Sequence, residues 1–214
     1  MPVSHKLRCV FVHVPKTGGT SIETALGLFG PWQEENRETM FGLVRSPDLL
    51  ARGLGSAFLQ HLSMQELLDV HAPQALAGYF SFGVVRNPWD RMVSVYRRTD
   101  PNLLERASAQ GIELAGLAFG EFLERSAAFS HAHLAEQSRF LCDASGRTLV
   151  DFVARFETLA EDFRKVCEWL GAQATLPRLN TSQRDDYRAY YDERSRALVE
   201  RRYRRDIERF GYAF

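Results

Sequence analysis

Short apolar runs alternate with amphipathic stretches along this chain. Residues 8–14, Arg8-Cys9-Val10-Phe11-Val12-His13-Val14, form a β-branched and aromatic run that stops at Pro15, the pattern of a buried strand. Residues 79–85 make a second such run, stopping at Arg86-Asn87-Pro88, and residues 148–156 a third, led in by the Ser145-Gly146 turn. Helical spacing fills the intervals. It predicts helices over 21–28, closed by Gly27 or Gly30, and over 120–125, 130–141 and 159–170. A last helix over 192–210 puts Val199, Tyr203, Ile207 and Phe210 on one face. Asn87 can cap a further helix, with Pro88 in its first turn and Asp90 at the third position in a capping-box-like start. Ser63-Met64-Gln65-Glu66 is a capping box, and Leu62 with Leu67 fits the hydrophobic staple around it. Residues 31–60 are weakly periodic and read as irregular, with a short helix at 47–52. Strands separated by helices predict an α/β fold with a parallel sheet, richer in helix than in strand.

The 214 residues suit one domain spanning 1–214, since nothing reads as a linker or a repeat. Apolar residues at 45% and charged residues at 25% exclude a disordered tail or a fibre. Lys+Arg and Asp+Glu are both 27, so the basic excess expected of a nucleic-acid or anionic-membrane coat is missing. A local anion pocket stays compatible with neutrality. Cys9, Cys142 and Cys167 are scattered, with no C-x-x-C pair, and read as plain thiols in a reducing compartment. The residues before the first strand carry no long apolar stretch, so the expectation is a cytoplasmic protein without membrane insertion.

Chemistry concentrates after the first strand. Pro15-Lys16-Thr17-Gly18-Gly19-Thr20-Ser21 joins a strand to a helix start. Adjacent glycines let the backbone come close to an anion, amides of the first helical turn point at it, and Lys16, Thr20 and Ser21 add a charge and hydroxyls. That combination predicts a phosphate or sulfate cradle. It differs from the nucleoside-triphosphate loop, in which Lys follows the glycines, because Lys16 precedes them. Arg86, rather than an acidic magnesium partner, ends the second strand, so protein cations and no metal are expected to neutralise the ligand. Ser94 lies about two helical turns beyond Arg86, and the two side chains can converge on one phosphate.

His13-Val14-Pro15-Lys16-Thr17-Gly18-Gly19-Thr20-Ser21 and Arg86-Asn87-Pro88-Trp89-Asp90-Arg91-Met92-Val93-Ser94-Val95-Tyr96 resemble, in their order, the two signature motifs of the sulfotransferases. The likeness is to the branch of carbohydrate sulfotransferases and small soluble bacterial enzymes. It extends to Arg155-Phe156-Glu157-Thr158-Leu159, to residues 176–184 and to the closing Phe210-Gly211-Tyr212-Ala213-Phe214. The resemblance implies a P-loop-like three-layer sandwich with a short central parallel sheet flanked by helices. It implies 3′-phosphoadenosine 5′-phosphosulfate (PAPS) as sulfuryl donor. Pro15, Lys16 and the backbone of Thr17, Gly18, Gly19, Thr20 and Ser21 would then hold the 5′-phosphosulfate, and Arg86 with Ser94 the 3′-phosphate. In the family a late loop closes over the nucleotide, which implies Ser182 and Arg184 as donor contacts. Golgi members carry an N-terminal anchor, which is not expected here, and residues 22–60 resemble no particular member.

Sulfuryl transfer needs cations at the leaving group and a base at the acceptor hydroxyl. Lys16 is the candidate for the first role. His61, on the loop just ahead of the capped helix, is the candidate base, and the resemblance favours it because related chains carry a His there. His13 reads as a packed strand-end residue beside the cradle that could still touch the donor. His131 and His133 form an H-x-H pair with no third ligand at metal spacing. His133 and Gln137, four apart on the helix expected at 130–141, are candidate acceptor contacts. The acceptor itself is left open among small molecules, lipids and glycans, and a homo-oligomer is compatible with the chain. Two alternatives stand beside a sulfotransferase: a P-loop nucleotide kinase, and a noncatalytic nucleotide-binding protein of the same fold.

Overall fold

The structure, a computed structural model, describes residues 3–28, 59–70, 73–177 and 186–214. The helix expected at 47–52 lies outside these residues. Four strands are described, β1 (Val3–Ser4), β2 (Cys9–Val12), β3 (Phe80–Val85) and β4 (Phe152–Arg155). The α-helices among the described residues are α1 (Gly19–Ala25), α2 (Met64–Val70), α3 (Pro88–Arg97), α4 (Pro101–Ser108), α5 (Phe119–Ser126), α6 (Ser138–Leu141), α7 (Leu159–Leu170), α8 (Glu193–Arg202) and α9 (Arg204–Phe210). The chain divides into two compact units, residues 1–85 with 137–181 and residues 86–136 with 182–214.

The first unit is mixed α/β. Its sheet runs in the order β1-β2-β3-β4, with β2, β3 and β4 parallel, as the strand–helix alternation predicts. β1 is an unforeseen antiparallel edge: two residues are too short to leave a periodic signal, and Arg8, at φ 48°, closes the turn into β2. β4 is shorter than the run over 148–156. Thr148 makes an isolated bridge to Cys142, and Phe156 already opens a 3-10 turn. Side chains alternate across the sheet. Phe11, Phe82, Val84 and Ala154 face Ile22 of α1 and Phe163, Val166 and Cys167 of α7, forming one apolar core. On the opposite side Gly83 meets α6, and α2 packs on α6. The sheet thus lies between two helical layers. The loop that follows β2 emerges at its carboxyl end.

The second unit is helical and built around α3. Trp89, Met92, Val93 and Val95 pack with Leu103 and Ala107 of α4, Phe122 and Leu123 of α5, and Val199 and Tyr203. α4 was not anticipated, although Asp100 caps it through Asn102 N and Pro101 takes its first position. The helix expected over 192–210 breaks between α8 and α9. Tyr203 sits fully buried at the break, and its hydroxyl donates to Leu134 O at 2.9 Å. The helix expected over 130–141 is also broken. A 3-10 turn (Ala132–Leu134) and α6 are separated by Ala135 in extended conformation.

Gly83 marks the tightest point of the first unit. A Cβ there would lie 2.4 Å from Leu141 Cδ2 and 3.2 Å from Val12 O. Gly83→Ala is therefore expected to lower the unfolding free energy by about 1–3 kcal/mol through overpacking. Denaturant titration checks this, and an unchanged midpoint would contradict the fit of α6 on the sheet.

Candidate active site

β2 ends at Val12, and the chain turns at once into the candidate cradle. Lys16 (φ 70°) and Gly18 (φ 85°) both adopt the left-handed region, which turns the backbone twice within three residues. Thr17 is buried and its hydroxyl donates to Val14 O at 2.8 Å, so this side chain braces the loop from inside and its amide is what remains for a ligand. Pro15 is buried, Lys16 and Ser21 half-buried, and Thr20 exposed. The glycines answer to packing as well as to any anion. A Cβ on Gly18 would lie 3.1 Å from Leu159 and 3.3 Å from Phe156, and one on Gly19 only 2.3 Å from the His13 ring. α1 begins at Gly19, two residues before the expected start, with Ser21 N bonded to Gly18 O.

His13, just beyond β2, is the centre of a buried polar cluster. Its Nδ1 lies 2.8 Å from Glu23 Oε1, and Gln60 Nε2 donates to Glu23 Oε2 at 2.8 Å. His13, Glu23 and Gln60 are 5%, 2% and 6% exposed, so each hydrogen bond is made in place of water. His61 Nδ1 lies 3.1 Å from the His13 carbonyl oxygen, and the two rings meet edge to face at 4.9 Å. A carbonyl can only accept, so His61 carries its proton on Nδ1, which leaves the lone pair of the neutral ring on Nε2. The expected capping box fixes the chain just after it: Ser63 N donates to Glu66 Oε2 at 2.7 Å and Glu66 N to Ser63 Oγ at 3.1 Å. Leu62 and Leu67 are both fully buried, as a staple requires. The structure thus brings His61 to the strand end that carries the cradle. Sequence reasoning missed Glu23 and Gln60, since a Glu on a short helix reads as a solvated charge.

In the second unit, Arg86 precedes α3 and is 5% exposed, with Nε donating to Asp90 Oδ2 at 2.7 Å. Asp90, at the third position of α3, gives Oδ2 to this ion pair. Asn87 caps α3 through Trp89 N at 3.0 Å, while its Nδ2 donates to Ala213 O at 2.8 Å and to the Tyr187 hydroxyl at 3.4 Å. The closing residues are thereby fastened to the second motif. Ser94 is half-buried on α3, two turns from Arg86.

The remaining acceptor candidates share no helix. The break at Ala135 removes the helical face that was expected to join His133 and Gln137; His133 lies in the 3-10 turn of the second unit, and Gln137 is fully buried at the start of α6 in the first. His131 is structural: its Nδ1 accepts the His133 amide at 3.2 Å, which requires a neutral ring. Burial, then the charge of Arg106, pushes its pKa down to about 4, against an opposing pull from Asp100. Ser182 and Arg184 lie outside the described residues. All three cysteines are buried and outside any disulfide, and burial raises Cys9 to about 12. Among the described residues, no three His, Cys, Asp or Glu side chains gather as a metal site, and no helix is long and apolar enough to cross a membrane.

Comparison with known proteins agrees with the motifs. Residues 1–213 match the sequence profile of the family described as Sulfotransferase family. The chain belongs to this family. An uncharacterized protein of Archaeoglobus fulgidus is 30% identical over 115 residues, 52% of this chain and 84% of the relative. A crystal structure of a sulfotransferase from Alicyclobacillus acidocaldarius aligns with 95% of this chain and 96% of its own, at 20% identity and a TM-score of 0.45. In this sulfotransferase-family chain the first motif runs through the loop after β2 into α1, and the second from Arg86 through most of α3.

Two outcomes test this geometry. Gly19→Ala should displace the His13 ring and destabilise the protein by about 1–3 kcal/mol in denaturant titration, and wild-type stability would contradict the ring's position. A neutral His131 in the folded state contributes stability that is present above its ordinary pKa of 6.5 and is lost as pH falls toward about 4. His131→Asn, which keeps an acceptor for the His133 amide, should flatten the fall of the unfolding midpoint across that window. An equally steep fall in the variant would contradict it.

Proposed function

We propose that this chain is a PAPS-dependent sulfotransferase, with residues 1–214 acting as one catalytic domain on a hydroxyl of a small-molecule, lipid or glycan acceptor. Family membership supports the reaction class. The observation that carries the rest is the tie between His61 Nδ1 and the His13 carbonyl, which sets a basic Nε2 at the strand end that bears Lys16 and the glycines. A neutral imidazole near its working pH is suited to general-base work.

The chemistry is an in-line displacement. His61 Nε2 takes the acceptor O–H proton as that oxygen bonds to sulfur. The bond from sulfur to the oxygen bridging it to the 5′-phosphate breaks, and 3′-phosphoadenosine 5′-phosphate leaves. Charge builds on the departing oxygen, where Lys16 neutralises it, while the amides from Thr17 to Ser21 and the Thr20 and Ser21 hydroxyls steady the nonbridging oxygens. Arg86 and Ser94 take the 3′-phosphate, with Asp90 orienting the guanidinium. Ser182 and Arg184 complete the grip on the donor. His133 and Gln137 are weaker acceptor candidates now that no shared helix joins them. The donor set consists of protein cations and amides, and no metal is assigned a role.

The test is incubation of the protein with PAPS and metabolite extracts, with products read by mass spectrometry as added sulfate. Turnover with PAPS in the presence of a chelator is expected; activity that needs ATP and magnesium instead, or binding of the nucleotide with no transfer to any acceptor, would contradict it. Lys16→Ala should slow turnover about a hundredfold or more, as loss of a transition-state donor does. Arg86→Ala should weaken donor binding more than it slows bound-state chemistry, since it grips a remote phosphate. His61→Ala should bind 3′-phosphoadenosine 5′-phosphate normally and turn over nothing, and wild-type turnover would mean that His61 is not the base.

A further inference from the structure

We propose that Glu23 is a positioning residue for His61, acting from two sides, an inference that rests on the reading of His61 as the base. Glu23 is 2% exposed on α1, and both of its oxygens are engaged. A carboxylate is costly to bury, and an apolar side chain would fill the same space without that cost. Its partners show what the carboxylate arranges. Oε2 takes the amide of Gln60, the residue joined to His61 in the chain, and so pins the 3-10 turn (Leu59–His61) that carries the base. Oε1 takes His13 Nδ1–H, which fixes the plane of the ring that meets His61 edge to face and sets the strand-end carbonyl that receives His61 Nδ1–H.

The same ring fixes the cradle. A Cβ on Gly19 would lie 2.3 Å from His13 Nε2, so the His13 ring fills the space beside the first residue of α1. One buried carboxylate therefore references the base and the anion loop to a single imidazole. Small displacements of a reacting group cost up to about a hundredfold in rate. A carboxylate that sets the orientation and tautomer of a neighbouring His is how outer groups tune a reactive one.

The experiment compares full-length wild type, Glu23→Ala and the conservative Glu23→Gln by nitrogen-15 NMR of the histidine rings, together with turnover and the affinity for 3′-phosphoadenosine 5′-phosphate. Wild-type His61 should show the Nδ1–H tautomer. Glu23→Ala should lose or average that signature and turn over about ten- to a hundredfold more slowly, a larger loss than that in donor affinity. Glu23→Gln, which keeps the volume and one acceptor, should lie between them and serves if Glu23→Ala does not fold. Leu103→Ala, a destabilised control in the core of the second unit, should keep the His61 signature. A folded Glu23 variant with the wild-type His61 signature would overturn the inference, as would wild-type turnover. If the wild-type protein transfers no sulfate, the enzyme reading fails, and the response of the His61 tautomer to Glu23 still decides the inference.

Discussion

His13 uses its two polar ends in different directions, and the site is organised around that division. The ring turns inward to Glu23, and the backbone carbonyl accepts from His61. Because the ring is buried beside Gly19, it also decides which residue can begin α1. Strand end, anion loop and candidate base are therefore one mechanical unit. None of the three can shift without straining a hydrogen bond at the strand end or closing a contact that already has no room for a methyl group.

The second motif has its own fastening, in the other unit. Asn87 is both the helix cap of α3 and the donor to Ala213 O, so the start of α3 and the closing residues share one amide. Phe214 packs edge-on against Trp89, Tyr187 and Tyr191, and the Tyr191 hydroxyl donates to Trp89 O. Arg91, fully buried on the same helix, reaches Ala135 O and lies 5.4 Å over the Tyr203 ring. These contacts explain why a helix that exposes so little of its first turn can still carry a charged residue at its start. Asp90 offsets the Arg86 charge, and apolar packing holds everything behind it.

Local signals carried much of this fold. α7 was readable with its observed bounds of 159–170 because its apolar stripe is regular and Gly171 ends it in the left-handed region. β2 and β3 announced themselves as apolar runs, and the Ser63–Glu66 capping box formed as its spacing demanded. What failed to show were features set by distant partners. The helices expected over 130–141 and 192–210 had continuous patterns, yet the two breaks meet each other, with the Tyr203 hydroxyl bonded to Leu134 O. The candidate site divides the same way. Lys16, the glycines, Arg86 and Ser94 stand out as candidates because those residue types in tight spacing suit anion binding. Glu23 and Gln60 were not, because the bond between them spans 37 positions and has no local pattern.

We propose that one adenosine donor is held through its 5′-phosphate by the residues after Lys16 and through its 3′-phosphate by Arg86 and Ser94. A crystal structure of the protein with 3′-phosphoadenosine 5′-phosphate tests it most directly. The account predicts the 5′-phosphate on the amides that follow Lys16, and the 3′-phosphate on Arg86 and Ser94. Either phosphate bound elsewhere would contradict it.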